Sequence, residues 1–131
     1  MEIGVSQVQG KVPVTVLHVA GDLNAATYEQ FQTTAKQAID AGARSVLVDL
    51  SGVHLMSSAG MRALNNIFHW LTSSSAENEE IRKGIVSGKT KSPHLKLLNP
   101  TPRVLEALKT AGFDMFLEIH HNSKDAVASF E

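Results

Sequence analysis

The stretch that decides the fold is Ser45 to Leu64, SVLVDLSGVHLMSSAGMRAL. Its first part, SVLVDL (45–50), is short, apolar and β-branched, the pattern of a parallel strand buried on both faces. Ser51-Gly52 opens a turn. From Ser57 or Ser58 onward the period changes, and Met61, Leu64, Ile67, Phe68 and Leu71 recur at helical spacing.

Working outward toward the N-terminus, Ile3–Gln9 and Val12–Ala20 are β-rich segments around Gly10-Lys11, which predicts a tight hairpin. Val12, Val14 and Val16 share one face of the second strand, Leu17 and Val19 the other. Pro13 cannot donate a ladder bond and belongs at a strand start or a free edge. Gly21-Asp22-Leu23-Asn24 breaks the strand, with Asn24 as the expected cap of a helix carrying Tyr28, Phe31, Ala35, Ala38 and Ile39 and ending at Gly42. Toward the C-terminus, Leu95–Leu98 reads as a strand, followed by a helix capped by Asn99 or Thr101, lined by Val104, Leu105 and Leu108 and closed by Gly112. Phe116–Ile119 reads as a last strand, and Asn122 or Ser123 caps a short terminal helix with Ala126, Val127 and Phe130. The order β-β-α-β-α-β-α-β-α implies an α/β domain: a mostly parallel sheet with an antiparallel edge strand and about four helices.

The 131 residues fit one domain, 1–131. Residues 72–93 depart from the compact pattern. They hold a serine run, an acidic cluster (Glu77, Glu79, Glu80) and then Arg82, Lys83, Lys89 and Lys91, with Ile81, Ile85 and Val86 as the sizeable apolar residues. We expect a flexible surface insertion there; a partner-docking loop is the alternative.

Composition excludes several function classes. The net charge is -1, which gives no electrostatic basis for direct nucleic-acid binding. The absence of cysteine removes disulfides, thiolate chemistry and Cys-based zinc sites, and fits a cytoplasmic setting. The N-terminus lacks the pattern of a signal peptide, and no apolar run is long enough for membrane insertion. Ser58-Ala59-Gly60 has the end of a nucleophile elbow, but position 56 is Met, not Gly. The six histidines, at 18, 54, 69, 94, 120 and 121, make no two-turn metal motif, and no glycine-rich phosphate loop occurs. We therefore expect no catalytic residues, no metal and no cofactor, and not an enzyme.

The chemistry concentrates at Ser57, Ser58, Ala59 and Gly60, small residues crowding a predicted helix start. The first N–H groups of a helix and its dipole favour an anion, so a phosphate on a serine hydroxyl is well tolerated there. On the residues alone, simple helix capping is the commoner use of serine in this position.

Three stretches together resemble the STAS domain family, named for sulfate transporters and anti-sigma factor antagonists. GDLNAATYEQF is similar to the family's G-[DE]-L-D-x-x-[TS]-A segment. SVLVDLSGVHLMSSAGMRAL is similar to its V-x-[LV]-D-L-S-x-V-x-[FY]-[MI]-D-S-[ST]-G-L-x-x-L run. LKLLNPTPRVLEALKTAGFDMFLEIHHNSKDAVASF is similar to its C-terminal pattern. The resemblance implies the STAS fold and an anti-sigma factor antagonist, a phosphorylation-controlled switch that sequesters an anti-sigma factor and frees a sigma factor. It implies phosphorylation at Ser58 by an anti-sigma factor with serine kinase activity, and resetting by a metal-dependent serine phosphatase. The chain departs from the pattern where Ser57 replaces the family's Asp, Ala59 its next hydroxyl residue and Asn24 its earlier Asp. Ser57 thereby becomes a competing acceptor, and kinase recognition is the property these departures touch. The alternative is a constitutive, unphosphorylated STAS interaction subunit of a membrane transport or sensory complex. The partner-binding face is expected to include Asp22, Asn24, Ser57, Ser58, Gly60, Arg62 and Asn65, which lie on segments following strand ends.

Overall fold

The computed structural model describes residues 1–74 and 91–130. Five strands form one sheet in sequential order: β1 (Glu2–Gln9), β2 (Pro13–Ala20), β3 (Val46–Gly52), β4 (Leu95–Leu98) and β5 (Glu118–His120). β1 pairs antiparallel with β2, and every other pair is parallel. The described helices are α1 (Tyr28–Asp40), α2 (Ser58–Ser74), α3 (Pro102–Thr110) and α4 (Ser123–Ser129), with a 3-10 turn at Phe113–Met115. This is the mostly parallel α/β sheet with an antiparallel edge that the residue pattern implies. Pro13 begins β2, opposite Gln9, so the hairpin loop spans residues 10–12. The extra loop residue relative to a Gly-Lys pair places the proline where its missing N–H costs no bond to β1.

Strand alternation divides the core. Leu17 and Val19 of β2, Val46, Val48 and Leu50 of β3, and Leu95 and Leu97 of β4 pack with Phe31, Ala35 and Ile39 of α1, Leu64, Ile67 and Leu71 of α2, and Val104 and Leu108 of α3. Val14, Val16, Leu47 and Leu98 face the other way, against Ala126, Val127 and Phe130. Thr101 caps α3, accepting a bond from Val104 N–H, and Asn122 caps α4, accepting from Asp125 N–H. Gly42 and Gly112, beyond the ends of α1 and α3, have φ of +114° and +82°, the left-handed geometry of a helix terminator. The last strand lies at 118–120 rather than 116–119, because Phe113–Met115 continues as a 3-10 turn and Phe116 packs on Phe68 and Phe113. Of the stretch 72–93, residues 75–90 lie outside the described residues. Thr72 continues α2, and Ser92 is buried with its N–H on Phe116 O.

Two polar networks sit on the α4 face. Lys96, only 3% exposed, is held by Glu118 Oε2 at 2.9 Å, and donates to both the carbonyl and the hydroxyl of Ser129 at 3.0 Å. Its ammonium also lies 4.8 Å from the centre of the Phe130 ring. Glu118 Oε1 accepts a further bond from His120 Nε2 at 3.1 Å. On β1–β3, His18 Nδ1 donates to Asp49 Oδ2 at 3.1 Å while its Nε2 meets Ser6 Oγ at 3.0 Å. Asp49 Oδ1 accepts from Ser51 N–H and Ser51 Oγ.

Burial alone would raise the pKa of both carboxylates. For Asp49 the bonds from Ser51 and then His18 more than offset it, and for Glu118 the Lys96 ammonium and then His120 do so; both carboxyls end below the ordinary range. A depressed folded pKa contributes stability that is present above the unfolded value, about 4, and is lost as pH falls through the folded value. Thermal melts from neutral pH down to strong acid should therefore show a falling melting temperature below about pH 4. Asp49→Asn and Glu118→Gln should each flatten that acid limb, and unchanged limbs in both would refute this electrostatic account.

Candidate functional site

The site is built where β2 and β3 run out. Their parallel pairing continues past the strands as an isolated bridge between Leu23 and Met56. Gly21 N–H bonds Gly52 O at 2.9 Å, Leu23 N–H bonds Leu55 O at 2.9 Å, and Ser57 N–H bonds Leu23 O at 2.8 Å. Leu23 and Met56 are both buried. The loop after β2 and the entry to α2 are thus fixed side by side by backbone hydrogen bonds.

Asn24 does not cap α1, which begins four positions later at Tyr28. Asn24 Oδ1 accepts from Ala26 N–H at 2.9 Å, closing an Asx turn, and its carbonyl accepts from Thr27 and Tyr28 N–H. The Thr27 hydroxyl donates to Asp22 O at 2.6 Å and accepts from Asn24 N–H at 3.0 Å. The carbonyl and side chain of Asn24 are used to shape the loop, so the helix start shifts downstream.

α2 begins at Ser58. Ser57 precedes it in the cap position, yet its hydroxyl is buried without a hydrogen-bond partner. The N–H groups of Ser58, Ala59 and Gly60 precede the first full turn and have no intrahelical acceptor; Met61 N–H is the first to be satisfied, by Ser57 O at 3.0 Å. No acidic residue occupies the first turn of α2. The helix start therefore carries its partial positive charge without local compensation. Ser58 is exposed. The two neighbouring hydroxyls are physically distinct, one facing solvent and one enclosed.

Gly60 is buried, and its backbone lies against Leu23. A Cβ there would sit 2.9 Å from both Leu23 Cβ and Leu23 O, and 3.1 Å from Met56 Cγ. Glycine is required for the approach of α2 to the bridge, and its contribution to the site is packing, not an exposed contact. Asp22 and Arg62 are exposed, and Asn24 and Asn65 are half-buried. Arg62 follows Ser58 by four residues and lies on the same helix face.

Sequence reasoning missed the Leu23–Met56 bridge and the exposure of Leu55, an apolar side chain beside the serines that remains 38% exposed. The alternation Val53, Leu55 out of step with Met56 was the available signal. It also missed the Ser6–His18–Asp49 line. The search for a histidine and an aspartate was made around Ser58, and this set assembles from three strands on the α4 face of the sheet.

An α/β domain that presents a helix start beside the ends of sequentially ordered parallel strands is the class these features define. The chain belongs to the STAS domain family, whose model matches residues 6–77. No curated protein sequence matches the chain. Among solved structures, a provisionally assigned anti-sigma factor antagonist from Thermotoga maritima is similar with a TM-score of 0.75 at 18% identity, covering 98% of this chain and 93% of that one. The anti-sigma factor antagonist SpoIIAA in its unphosphorylated form is similar with a TM-score of 0.69 at 17% identity, covering 96% and 93%. The phosphorylated form of SpoIIAA from Bacillus is similar with a TM-score of 0.63 at 18% identity, covering 96% of each chain. Among the described residues no helix is long and apolar enough to cross a membrane.

Gly60→Ala should destabilise the fold by about 1–3 kcal/mol, since the new methyl must displace Leu23 backbone. Ser57→Ala should leave it at least as stable, because it removes a buried hydroxyl that has no partner. Denaturant melts of the two variants check both, and a harmless Gly60→Ala would show that the contact yields.

Proposed function

We propose that the protein is an anti-sigma factor antagonist, a cytoplasmic binding switch without catalytic groups of its own, controlled by phosphorylation of Ser58. The observation that carries this reading is the contrast between two adjacent serines: Ser58 is exposed at the first residue of α2, and the Ser57 hydroxyl is enclosed. A kinase reaches Ser58 with the domain folded, whereas Ser57 requires local opening. A phosphate on Ser58 meets the unbonded N–H groups of the helix start and, one turn on, the Arg62 guanidinium. Asn24 and Ser57, standing where the family pattern has acids, keep the surroundings free of repulsion.

SpoIIAA, which shares the fold, has been solved both with and without phosphate. That pair supports a switch acting through charge, with the fold retained. The partner is an anti-sigma factor with serine kinase activity, and a metal-dependent phosphatase resets the switch. The unphosphorylated surface of Asp22, Asn24, Ser58, Arg62 and Asn65 receives the partner, with exposed Leu55 beside it.

Phosphate at that surface would place an unpaired charge in a closed interface, which costs roughly 3–5 kcal/mol, or more than about a hundredfold in affinity. The test uses the kinase captured from the native host. Wild-type protein should bind it, acquire one phosphate on Ser58 with ATP, and dissociate. Ser58→Ala should stay bound in ATP, Ser58→Asp should bind at least about a hundredfold more weakly, and Arg62→Glu should weaken binding without lowering the melting temperature. Peptide mapping that finds phosphate only on Ser57, or none while the complex persists, would overturn the switch; the second outcome would establish a constitutive interaction subunit.

A further inference from the structure

β1 is one edge of the sheet, and among the described residues β2 is its only partner. The free backbone groups of this edge follow from the ladder. Thr15 N–H bonds Ser45 O on the β3 side. A strand residue directs its N–H and C=O to one side, and successive residues alternate. Thr15 and Leu17 therefore turn toward β3, while Val14, Val16 and His18 turn toward β1, where they oppose Val8, Ser6 and Gly4. The intervening Ile3, Val5 and Gln7 direct their N–H and C=O groups outward. Pro13, on the β3 side of the alternation, fits the same register.

Exposed edges are usually blunted by brevity, lysine, proline or a bulge. β5, the opposite edge, is blunted by its length of three residues. β1 has eight residues, a single charge at Glu2, and unbroken pairing with β2. Val5 and Val8 on it are 51% and 40% exposed.

We propose that β1 is a self-association edge, pairing antiparallel with β1 of a second copy about a two-fold axis through Val5. An axis perpendicular to the sheet keeps corresponding faces together, so opposed residues must come from the same face. With the axis at Val5, Val5 opposes Val5, Ile3 opposes Gln7, Gly4 opposes Ser6 and Glu2 opposes Val8. All the outward-directed residues of Ile3, Val5 and Gln7 then exchange paired backbone hydrogen bonds, the half-exposed valines cover each other, and Glu2 meets no like charge. The occupant is a second copy because the free groups are symmetric about an apolar residue at the strand centre. A strand edge and one valine pair bury less than the roughly 800 Å² per partner of a stable interface, so the dimer forms reversibly as concentration rises.

Sedimentation velocity over a concentration series tests this with wild type, Val5→Lys, Val5→Glu and an equimolar mixture of the two variants. Wild type should shift from monomer toward dimer with rising concentration. Each variant should remain monomeric, because the axis brings two like charges together, with a melting temperature close to wild type. The mixture should regain the shift, because lysine then faces glutamate. A wild type that stays monomeric up to its solubility limit, a dimer that survives in both variants, or a mixture that fails to associate would each overturn the proposal.

Discussion

The site depends on one backbone constraint, the parallel bridge between Leu23 and Met56 beyond the ends of β2 and β3. Ser57 N–H on Leu23 O fixes where α2 starts, and the absence of a side chain at Gly60 lets the helix close onto the bridge. A shift of either loop would move Ser58 relative to Asp22 and Asn24 together. The exposed serine is therefore mounted on sheet geometry and not on a free loop. That rigidity lets a change of charge be read as a change of affinity and not be absorbed by loop motion.

The opposite face of the sheet has a different anchor. Lys96 is almost fully buried yet makes three polar contacts and lies over Phe130, so its charge is balanced where it sits. The arrangement fastens α4 to β4 and β5. Breaking such a buried pair on one side leaves an uncompensated charge, which is costlier than never having built it. The helix that closes the chain is thus held by a specific contact set in addition to its small apolar stripe of Ala126, Val127 and Phe130. Ser58 and Lys96 belong to different faces and different loops, and a phosphate at the first does not intrude on the second.

The fold was legible because its signals are local. The apolar run SVLVDL, the two-residue alternation of β2, the helical stripe after Ser58, and the caps Thr101 and Asn122 each act within a few residues of sequence. What was not legible depends on neighbours distant in sequence. Asn24 has the chemistry of a helix cap, and only the partnership of Thr27 with Asp22 and Asn24 shows it shaping a loop instead. Lys96 sits in an apolar strand like a misplaced charge until Glu118 and Ser129 are brought to it. Gly60 reads equally as a surface residue or a packing residue until Leu23 is seen beneath it. Ser57 and Ser58 are indistinguishable in sequence, because one residue of helical rotation decides which hydroxyl faces solvent.

That rotation also explains how a switch can work at small cost to the fold. In the free protein a phosphate on Ser58 gains from the helix start and Arg62, each worth only a fraction of a kcal/mol to about 1 when solvated. In a complex the same phosphate must lose its water against a surface fitted to a hydroxyl. Only the difference between the two environments moves the equilibrium. An enclosed acceptor would reverse this balance, since phosphate at the Ser57 position would first have to displace the packing around Leu23 and Met56. The modification would then report on folding and not on the partner. An acceptor exposed at the first residue of a rigidly mounted helix keeps the two effects separate, which is the physical requirement for partner exchange without unfolding.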